Sequence, residues 1–258
     1  MKLHFLGTGT SFGVPVIGCD CAVCASDDPR DRRTRHGALL EEDGRRVLID
    51  TPPELRLQLL RAGVRDVDAV WYTHCHADHT HGVDDLRVFS VRSKRPLPVF
   101  AAPDCAKTLA MRFDYVFDAD LSPLEGTTRP EARLEVLEPF EPTDVAGFRM
   151  IPLPVPHGRV EAYGFRVGDL GYITDAKSLP ERTREALAGV RVLVLNALWF
   201  GNPHPTHFNV EEAVEAARSI GAERTYLTHL THRVDHRTLE ARLPPGIYPA
   251  HDGLTIDI

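Results

Sequence analysis

Short apolar runs separated by turn residues recur along the whole chain, and most of them have the length of a β-strand. Asp43-Gly44 separates two of these runs and is a strong hairpin signal. The pattern predicts strands at Lys2–Leu6, Ala38–Glu42, Arg46–Ile49, Ala69–Tyr72, Pro98–Ala101, Arg149–Val155, Ala162–Val167, Gly171–Thr174, Arg224–Leu227 and Leu254–Ile258.

Helical patterns lie between the strands. Pro53–Ala62 has proline at its start and Gly63 just past its end, which is typical of a helix. Asn209, with Glu212 three residues later, predicts a capping box at the start of another helix. Two shorter helices are predicted at Leu179–Ala188 and Arg237–Leu243. We therefore expect one α/β or α+β domain over residues 1–258, with two sheets and helices outside them.

The composition narrows the possible functions. The 258 residues include 37 Asp+Glu against 30 Lys+Arg, a net charge of −7 that disfavours a protein built to grip long nucleic acids. Arg191 and Asn196 interrupt the most apolar stretch, so no membrane span is expected. The first nine residues do not resemble a signal peptide. We expect a soluble, cytoplasmic protein.

Thirteen histidines and five cysteines are unusual for this length, and several of them are clustered. Residues 74 to 79 read His-Cys-His-Ala-Asp-His directly after a predicted strand. Four ligand-type side chains on one turn can face a common point and be divided between two metal ions. Imidazole and carboxylate suit Zn²⁺, Mn²⁺ and Fe when a site must hold activated water. Further candidates follow later predicted strands: His157, Asp175 and His229.

This series of residues resembles the metallo-β-lactamase superfamily, in its dinuclear phosphodiesterase branch. The resemblance implies an α+β fold, an αββα sandwich of two mixed β-sheets flanked by helices. It also implies that one metal is held by His74, His76 and His157, that the other is held by Asp78, His79 and His229, and that Asp175 bridges them. A single-metal site would leave Asp78 and Asp175 without a role. The two active-site ions would be Zn²⁺ or Mn²⁺.

Asp50, after the strand Arg46–Ile49, resembles the buried aspartate with which this family orients its ligand loop. Its alternative role is the N-cap of the helix that begins near Pro52-Pro53, and the two roles are compatible.

Cys19, Cys21 and Cys24 form a separate cluster. Three thiolates need a fourth ligand to close a tetrahedral zinc site, which would be structural because no position remains for substrate. His232 is the first candidate and His236 the alternative. This combination is similar to the phosphoribosyl cyclic phosphodiesterases, whereas the related tRNA 3′-processing endonucleases lack it.

Phosphodiester hydrolysis also needs a proton for the leaving oxygen, from a group separate from the metals. His207 lies where the related phosphodiesterases place a catalytic histidine, and His204 is the alternative, or a contact for substrate phosphate. The arginines between Arg30 and Arg35 either line a phosphate entry or form a self-paired surface with the neighbouring aspartates.

The expected function is hydrolysis of a phosphodiester in a small, cyclic ribose phosphate. Water activated by two metals, one of them held by Asp78, would attack, and a histidine would act as general acid. The alternatives are a tRNA 3′-processing endoribonuclease, a thiolester hydrolase, and a non-catalytic metal-binding module. Only 18 positions separate His157 from Asp175, which leaves no room for a long tRNA-binding arm. We expect a small-molecule substrate, neither nucleic-acid nor membrane partners, and, from the family, a homodimer.

Overall fold

A computed structural model describes residues 1–258, in which fourteen strands and eight α-helices follow one another along the chain. The strands are β1 (Lys2–Gly7), β2 (Gly37–Glu42), β3 (Arg45–Ile49), β4 (Ala69–Trp71), β5 (Leu97–Ala101), β6 (Ala132–Val136), β7 (Thr143–Val145), β8 (Phe148–His157), β9 (Val160–Val167), β10 (Leu170–Tyr172), β11 (Val192–Asn196), β12 (Arg224–Thr228), β13 (Ile247–Pro249) and β14 (Thr255–Asp257). The helices are α1 (Leu55–Ala62), α2 (Ala77–Thr80), α3 (Arg87–Ser93), α4 (Pro103–Arg112), α5 (Asp114–Phe117), α6 (Glu181–Ala186), α7 (Val210–Ile220) and α8 (His236–Arg242).

The strands form two seven-stranded sheets of the same design. The first has the order β14-β1-β2-β3-β4-β5-β6 and the second β13-β12-β11-β10-β9-β8-β7. In each sheet one half is antiparallel and the other half parallel, with the change at β3 in the first and at β10 in the second. Helices α1, α4 and α5 pack on the first sheet and α6, α7 and α8 on the second. The predicted sandwich of two mixed sheets is confirmed.

Aromatic side chains join the two sheets across the main core. The ring of Trp71, on β4, meets the edge of Phe165, on β9, with centroids 5.5 Å apart. Phe165 in turn stacks on Tyr172, on β10, at 5.1 Å. All three side chains are buried, and aromatic pairs of this geometry add about 0.5–1.5 kcal/mol each beyond their buried area. A second core fills the space between the second sheet and its helices.

The predicted elements are present with shifted ends, and Asn209 and Glu212 do form the capping box of α7. The sequence patterns did not predict α3, α4, α5, β6, β7 or β13. They also missed β11, a central parallel strand buried on both faces, so its residues do not alternate. No helix is both long enough and apolar enough to cross a bilayer.

Candidate active site

The ligand loop connects β4 to the single-turn helix α2. Its first residue, Thr73, donates from its backbone N to Asp50 Oδ1 and from its hydroxyl to Oδ2, both at 2.8 Å. His79 Nδ1 donates to the same Oδ2 at 2.7 Å, so its Nε2 faces away from the carboxylate. Asp50 is fully buried and thus fixes both ends of the loop.

Asp50 does not cap α1, so that alternative is wrong. Glu54 occupies the N-cap position and makes no side-chain cap hydrogen bond. Asp50 adopts φ 62°, a left-handed conformation that turns its side chain away from the helix start and toward the ligand loop.

The first group of metal-ligand candidates contains three histidines. His76 Nδ1 lies 2.8 Å from His74 Nε2 and 3.2 Å from His157 Nε2. His157 is the last residue of the long strand β8, and its Nδ1 donates to the Thr206 carbonyl at 3.1 Å, which leaves its Nε2 directed at the group. Burial lowers the pKa of all three imidazoles, which favours the neutral form that binds metals.

The second group contains Asp78, His79 and His229. Asp78 Oδ2 lies 3.4 Å from His79 Nε2 and 3.9 Å from His229 Nε2. Asp175 lies between the two groups, because its carboxylate oxygens are 3.5 Å from His79 Nε2, 3.3 Å from His229 Nε2 and 3.8 Å from His157 Nε2. The two groups of three ligands therefore meet at the carboxylate of the seventh, Asp175.

Two of these ligands need an unusual backbone to reach the centre. Asp175 follows β10 with φ 55°, and His229 follows β12 with φ 59°. Such conformations cost of order 1–3 kcal/mol for residues other than glycine and persist where the surrounding structure imposes them. Both side chains are almost completely buried.

The donors fit divalent metal ions. A tetrahedral ion with ligands at 2.0–2.2 Å separates neighbouring donor atoms by about 3.4 Å, which is close to the spacings in both groups. The buried Nε2 atoms of His79 and His229 have no hydrogen-bond partner, an arrangement that costs about 1–3 kcal/mol unless a ligand satisfies them. The donors are all nitrogen and oxygen, which suits Zn²⁺ or Mn²⁺.

The charges within the site balance one another. Burial alone raises the pKa of Asp175, but His229 and His79 outweigh this effect and hold the pKa well below its usual value. Burial has the opposite effect on His79, yet the carboxylates of Asp78, Asp175 and Asp50 raise its pKa well above the ordinary histidine value. The carboxylates are thus ionised and able to bind a cation.

His207 is the general-acid candidate that contacts this centre. Its Nε2 lies 2.9 Å from Asp175 Oδ1, and its ring stacks on His229 with centroids 4.9 Å apart. Burial lowers its pKa, although the contact with Asp175 acts in the other direction. His204 contacts His207 and none of the seven metal-ligand candidates by a hydrogen bond. Its Nδ1 is 3.3 Å from His207 Nδ1, and its ring lies against Trp199.

His36 is a buried residue behind the centre that the sequence patterns missed. Its Nδ1 lies 3.1 Å from Asp50 Oδ2 and its Nε2 lies 2.7 Å from the Tyr172 hydroxyl. The residue stands alone before β2 and belongs to no motif. Only the three-dimensional contact with Asp50 identifies it.

The cysteine cluster forms with His232. His232 Nδ1 lies 3.4 Å from Cys19 Sγ and 3.5 Å from the Sγ atoms of Cys21 and Cys24. A tetrahedral zinc ion with sulfur at 2.3 Å and nitrogen at 2.0–2.1 Å gives an S···N separation of about 3.5 Å, so these four residues fit one ion.

His236, the alternative fourth ligand, is not part of the cluster. Its backbone N donates to Asp31 Oδ1 at 2.7 Å, and its ring lies against His251 with centroids 5.6 Å apart. His236 is the first residue of α8, and these contacts hold it away from the thiols.

The arginines between Arg30 and Arg35 do not line the cavity over the metal-ligand groups. Arg30 pairs with Asp28 at 2.8 Å, and Arg35 pairs with Glu54. Arg33 is fully buried and donates to the carbonyls of Thr231 and Val234, on either side of His232. Arg33 therefore stabilises the backbone beside the cysteine cluster, whereas Arg30 and Arg35 are paired with carboxylates away from the metal-ligand groups, as the alternative of a self-paired surface predicts.

Comparisons with known proteins agree with this geometry. Residues 45–230 match the model of the β-lactamase superfamily domain. An octanoyltransferase of Porphyromonas gingivalis is 38% identical over 256 residues, covering 98% of this chain and 51% of that protein, so the chain spans about half of that relative's length. A ribonuclease Z of Pyrobaculum neutrophilum is 28% identical, covering 99% and 98%.

Among solved structures, the chain is similar to one described as a new diphosphatase from the PhnP family. The TM-score is 0.90 with 40% identity, and the match covers 100% of this chain and 97% of the other. The family model, the sandwich and the arrangement of the ligands lead to the same assignment. The chain belongs to the metallo-β-lactamase superfamily and is a PhnP-like member of it.

Proposed function

We propose that this chain is a metal-dependent hydrolase that cleaves a phosphodiester bond in a small molecule. The observation that carries the proposal is the position of Asp175, which lies between two metal-ligand groups and beside His207. A carboxylate that would serve two ions, next to a histidine that lines the cavity, is an arrangement that suits attack on phosphorus with protonation of the leaving oxygen.

The residues divide the work as follows. His74, His76 and His157 would hold one divalent ion and Asp78, His79 and His229 the other, with Asp175 in contact with both groups. When bound, two such ions supply Lewis-acid charge and activate water near neutral pH.

His207 would act as the imidazolium: with its Nε2–H against Asp175 Oδ1, it would pass that proton to the leaving oxygen and become neutral. Asp50 keeps His79 in one tautomer, since it accepts from Nδ1.

The bond between two phosphoryl groups is the second candidate. It is favoured by the 40% identity over the whole chain to a structure described as a diphosphatase. Ribonuclease Z is a more distant relative, and a net charge of −7 disfavours the many phosphate contacts that RNA binding needs. The octanoyltransferase name describes a protein about twice as long, so that activity is not assigned to this chain.

The test is a comparison of four substrates with the protein loaded with Zn²⁺ or Mn²⁺. These are a ribose 1,2-cyclic phosphate, an organic diphosphate diester, a precursor tRNA and a glutathione thiolester. We expect turnover of the cyclic phosphate, of the diphosphate, or of both, and none by the Asp78→Ala variant. Preference for the tRNA or the thiolester would overturn the proposal.

A further inference from the structure

A second cavity of about 300 Å³ adjoins the metal-ligand groups, and most of the residues that line it have no role in the chemistry described above. Ser11, His207 and His229 line both this cavity and the one over the ligands, so the two cavities are adjacent. The volume is at the lower end of the range for small-molecule sites. The outer wall is formed by Phe12, Trp199, His204, Thr231 and Arg233.

This wall presents two aromatic side chains and one cationic side chain to the cavity. The Arg233 guanidinium lies over the Trp199 ring, 4.3 Å from its centroid. Trp199 is itself held in place, because its Nε1 donates to the Asn202 carbonyl at 2.8 Å. Phe12 stands at the tip of the loop after β1, with 70% of its surface exposed and no place in the core. Such a residue contributes little to folding.

The polar residues favour a ring with heteroatoms over a hydrocarbon chain. His204, Thr231 and Arg233 line the same wall as Phe12 and Trp199. Nucleobases stack on aromatic rings and on arginine, and they offer hydrogen-bonding edges to polar side chains. Because His207 and His229 border both cavities, a phosphate over the metal ligands would have this cavity next to it, within reach of an attached ribose and base.

We propose that the cavity binds the base of a nucleoside phosphate, with Phe12, Trp199 and Arg233 as the specificity-determining residues. The inference rests on the proposed function and narrows its substrate class to nucleotides. Stacking of one base contributes about 1–3 kcal/mol, which corresponds to an affinity gain of roughly 5- to 150-fold.

The test measures binding, so that it does not depend on turnover. Adenosine 5′-monophosphate and ribose 5-phosphate share the phosphate and the sugar and differ only in the base. With the metal-loaded protein, we expect calorimetry to give at least about fivefold tighter binding of the adenosine compound. Trp199 is one of only two tryptophans and the other, Trp71, is fully buried, so stacking of the base should also quench the accessible fluorescence.

Two variants test the residues themselves. Trp199→Ala and Phe12→Ala should each bring the affinity ratio of the two ligands toward one, and the exposed position of Phe12 makes that variant safe for folding. Tyr248→Ala, on β13, is the matched control because Tyr248 is a 43% exposed aromatic residue that does not line the cavity.

Equal affinities of the parent protein for adenosine 5′-monophosphate and ribose 5-phosphate would overturn the inference. So would an affinity ratio that stays at the parent value in both variants. Tight adenosine binding without any phosphodiester or diphosphate cleavage would instead contradict the proposed function alone.

Discussion

The chain contains two clusters of metal-ligand residues that differ in almost every physical respect. The centre around Asp175 uses only nitrogen and oxygen donors, collected from the ends of strands in both sheets, and it opens into cavities. The cluster around His232 uses three sulfurs from a single short segment. A closed set of three thiolates and one imidazole leaves no coordination position for substrate. The contrast supports our proposal that the first cluster performs the reaction, and it leads us to expect that the second stabilises the fold.

One loop connects the two clusters. His229 and His232 are three residues apart after β12, and Leu230 between them donates to the Thr8 carbonyl at 2.8 Å. The cysteine segment is attached to the loop after β1, since Val16 N donates to Cys24 Sγ at 3.3 Å. The second cluster therefore fixes the loop that carries a ligand of the first.

The largest effect on turnover is expected from Asp78→Ala. The change removes a carboxylate that lies 3.4 Å from His79 Nε2 and 3.9 Å from His229 Nε2, and with it the charge that holds the second ion. Hydrolysis should fall to background while one ion is lost from the Asp175 centre and the thiolate cluster keeps its own. Activity assays and metal analysis by mass spectrometry measure both. Activity at the parent level would contradict the assignment of Asp78 to one of two active-site metal ions.

His207→Ala is expected to have the next largest effect. Removing a general acid slows turnover by roughly 10²–10⁴. The metal content should stay that of the parent, because His207 is not one of the seven ligands and contacts them only by one hydrogen bond to Asp175 and by ring packing against His157 and His229. Single-turnover kinetics on a metal-quantified sample check this expectation. A variant that turns over at the parent rate would leave His207 without a catalytic role.

The ligand series could be predicted from sequence because its donors come from recognisable places. His74, His76, Asp78 and His79 share one turn, and His157, Asp175 and His229 follow apolar runs. The contacts behind them could not be predicted, since His36 reaches Asp50 only through the packing of β2 against β3. The sequence is compatible with Asp50 both orienting the ligand loop and capping a helix, and only its backbone conformation, with φ 62°, and the position of the helix start separate the two roles.

The role of the arginines between Arg30 and Arg35 also could not be predicted from the sequence alone. Four arginines lie between positions 30 and 35, next to Asp27, Asp28 and Asp31, which allows either phosphate binding or self-pairing. Burial of Arg33 against the carbonyls beside His232 is a long-range contact that no local pattern contains. The fold was predictable from periodicity and resemblance, whereas β11 and α4 lacked the alternation or caps that mark an element.

Asp50→Asn should lower turnover less than Asp78→Ala or His207→Ala does. Asparagine keeps the size of the side chain and tolerates a positive φ, but it removes the charge that faces His79 and His36. Loss of such a partner lowers metal affinity or activity about 10- to 100-fold. Competition with a chelator measures the affinity. Asp43→Asn is the matched control, because Asp43 also has a positive φ but lies exposed at the β2–β3 hairpin.

Cys21→Ser should affect turnover least and stability most. The variant loses one of three thiolates around His232, and with it the complete ligand set for the zinc ion that we expect to tie the loop after β1 to the loop after β12. Loss of a structural metal should lower the free energy of unfolding by about 3 kcal/mol or more. For a chain of this size that corresponds to a fall in Tm of roughly 6–12 °C.

Calorimetry and metal analysis on the same sample test this expectation. The control is Cys105→Ser, which changes a buried cysteine outside the cluster and should leave the metal content unchanged. An unchanged Tm would contradict the structural role. A large fall in turnover at full occupancy of the Asp175 centre would instead mean that the two clusters do not divide their work, because the loop between His229 and His232 transmits the loss of one to the other.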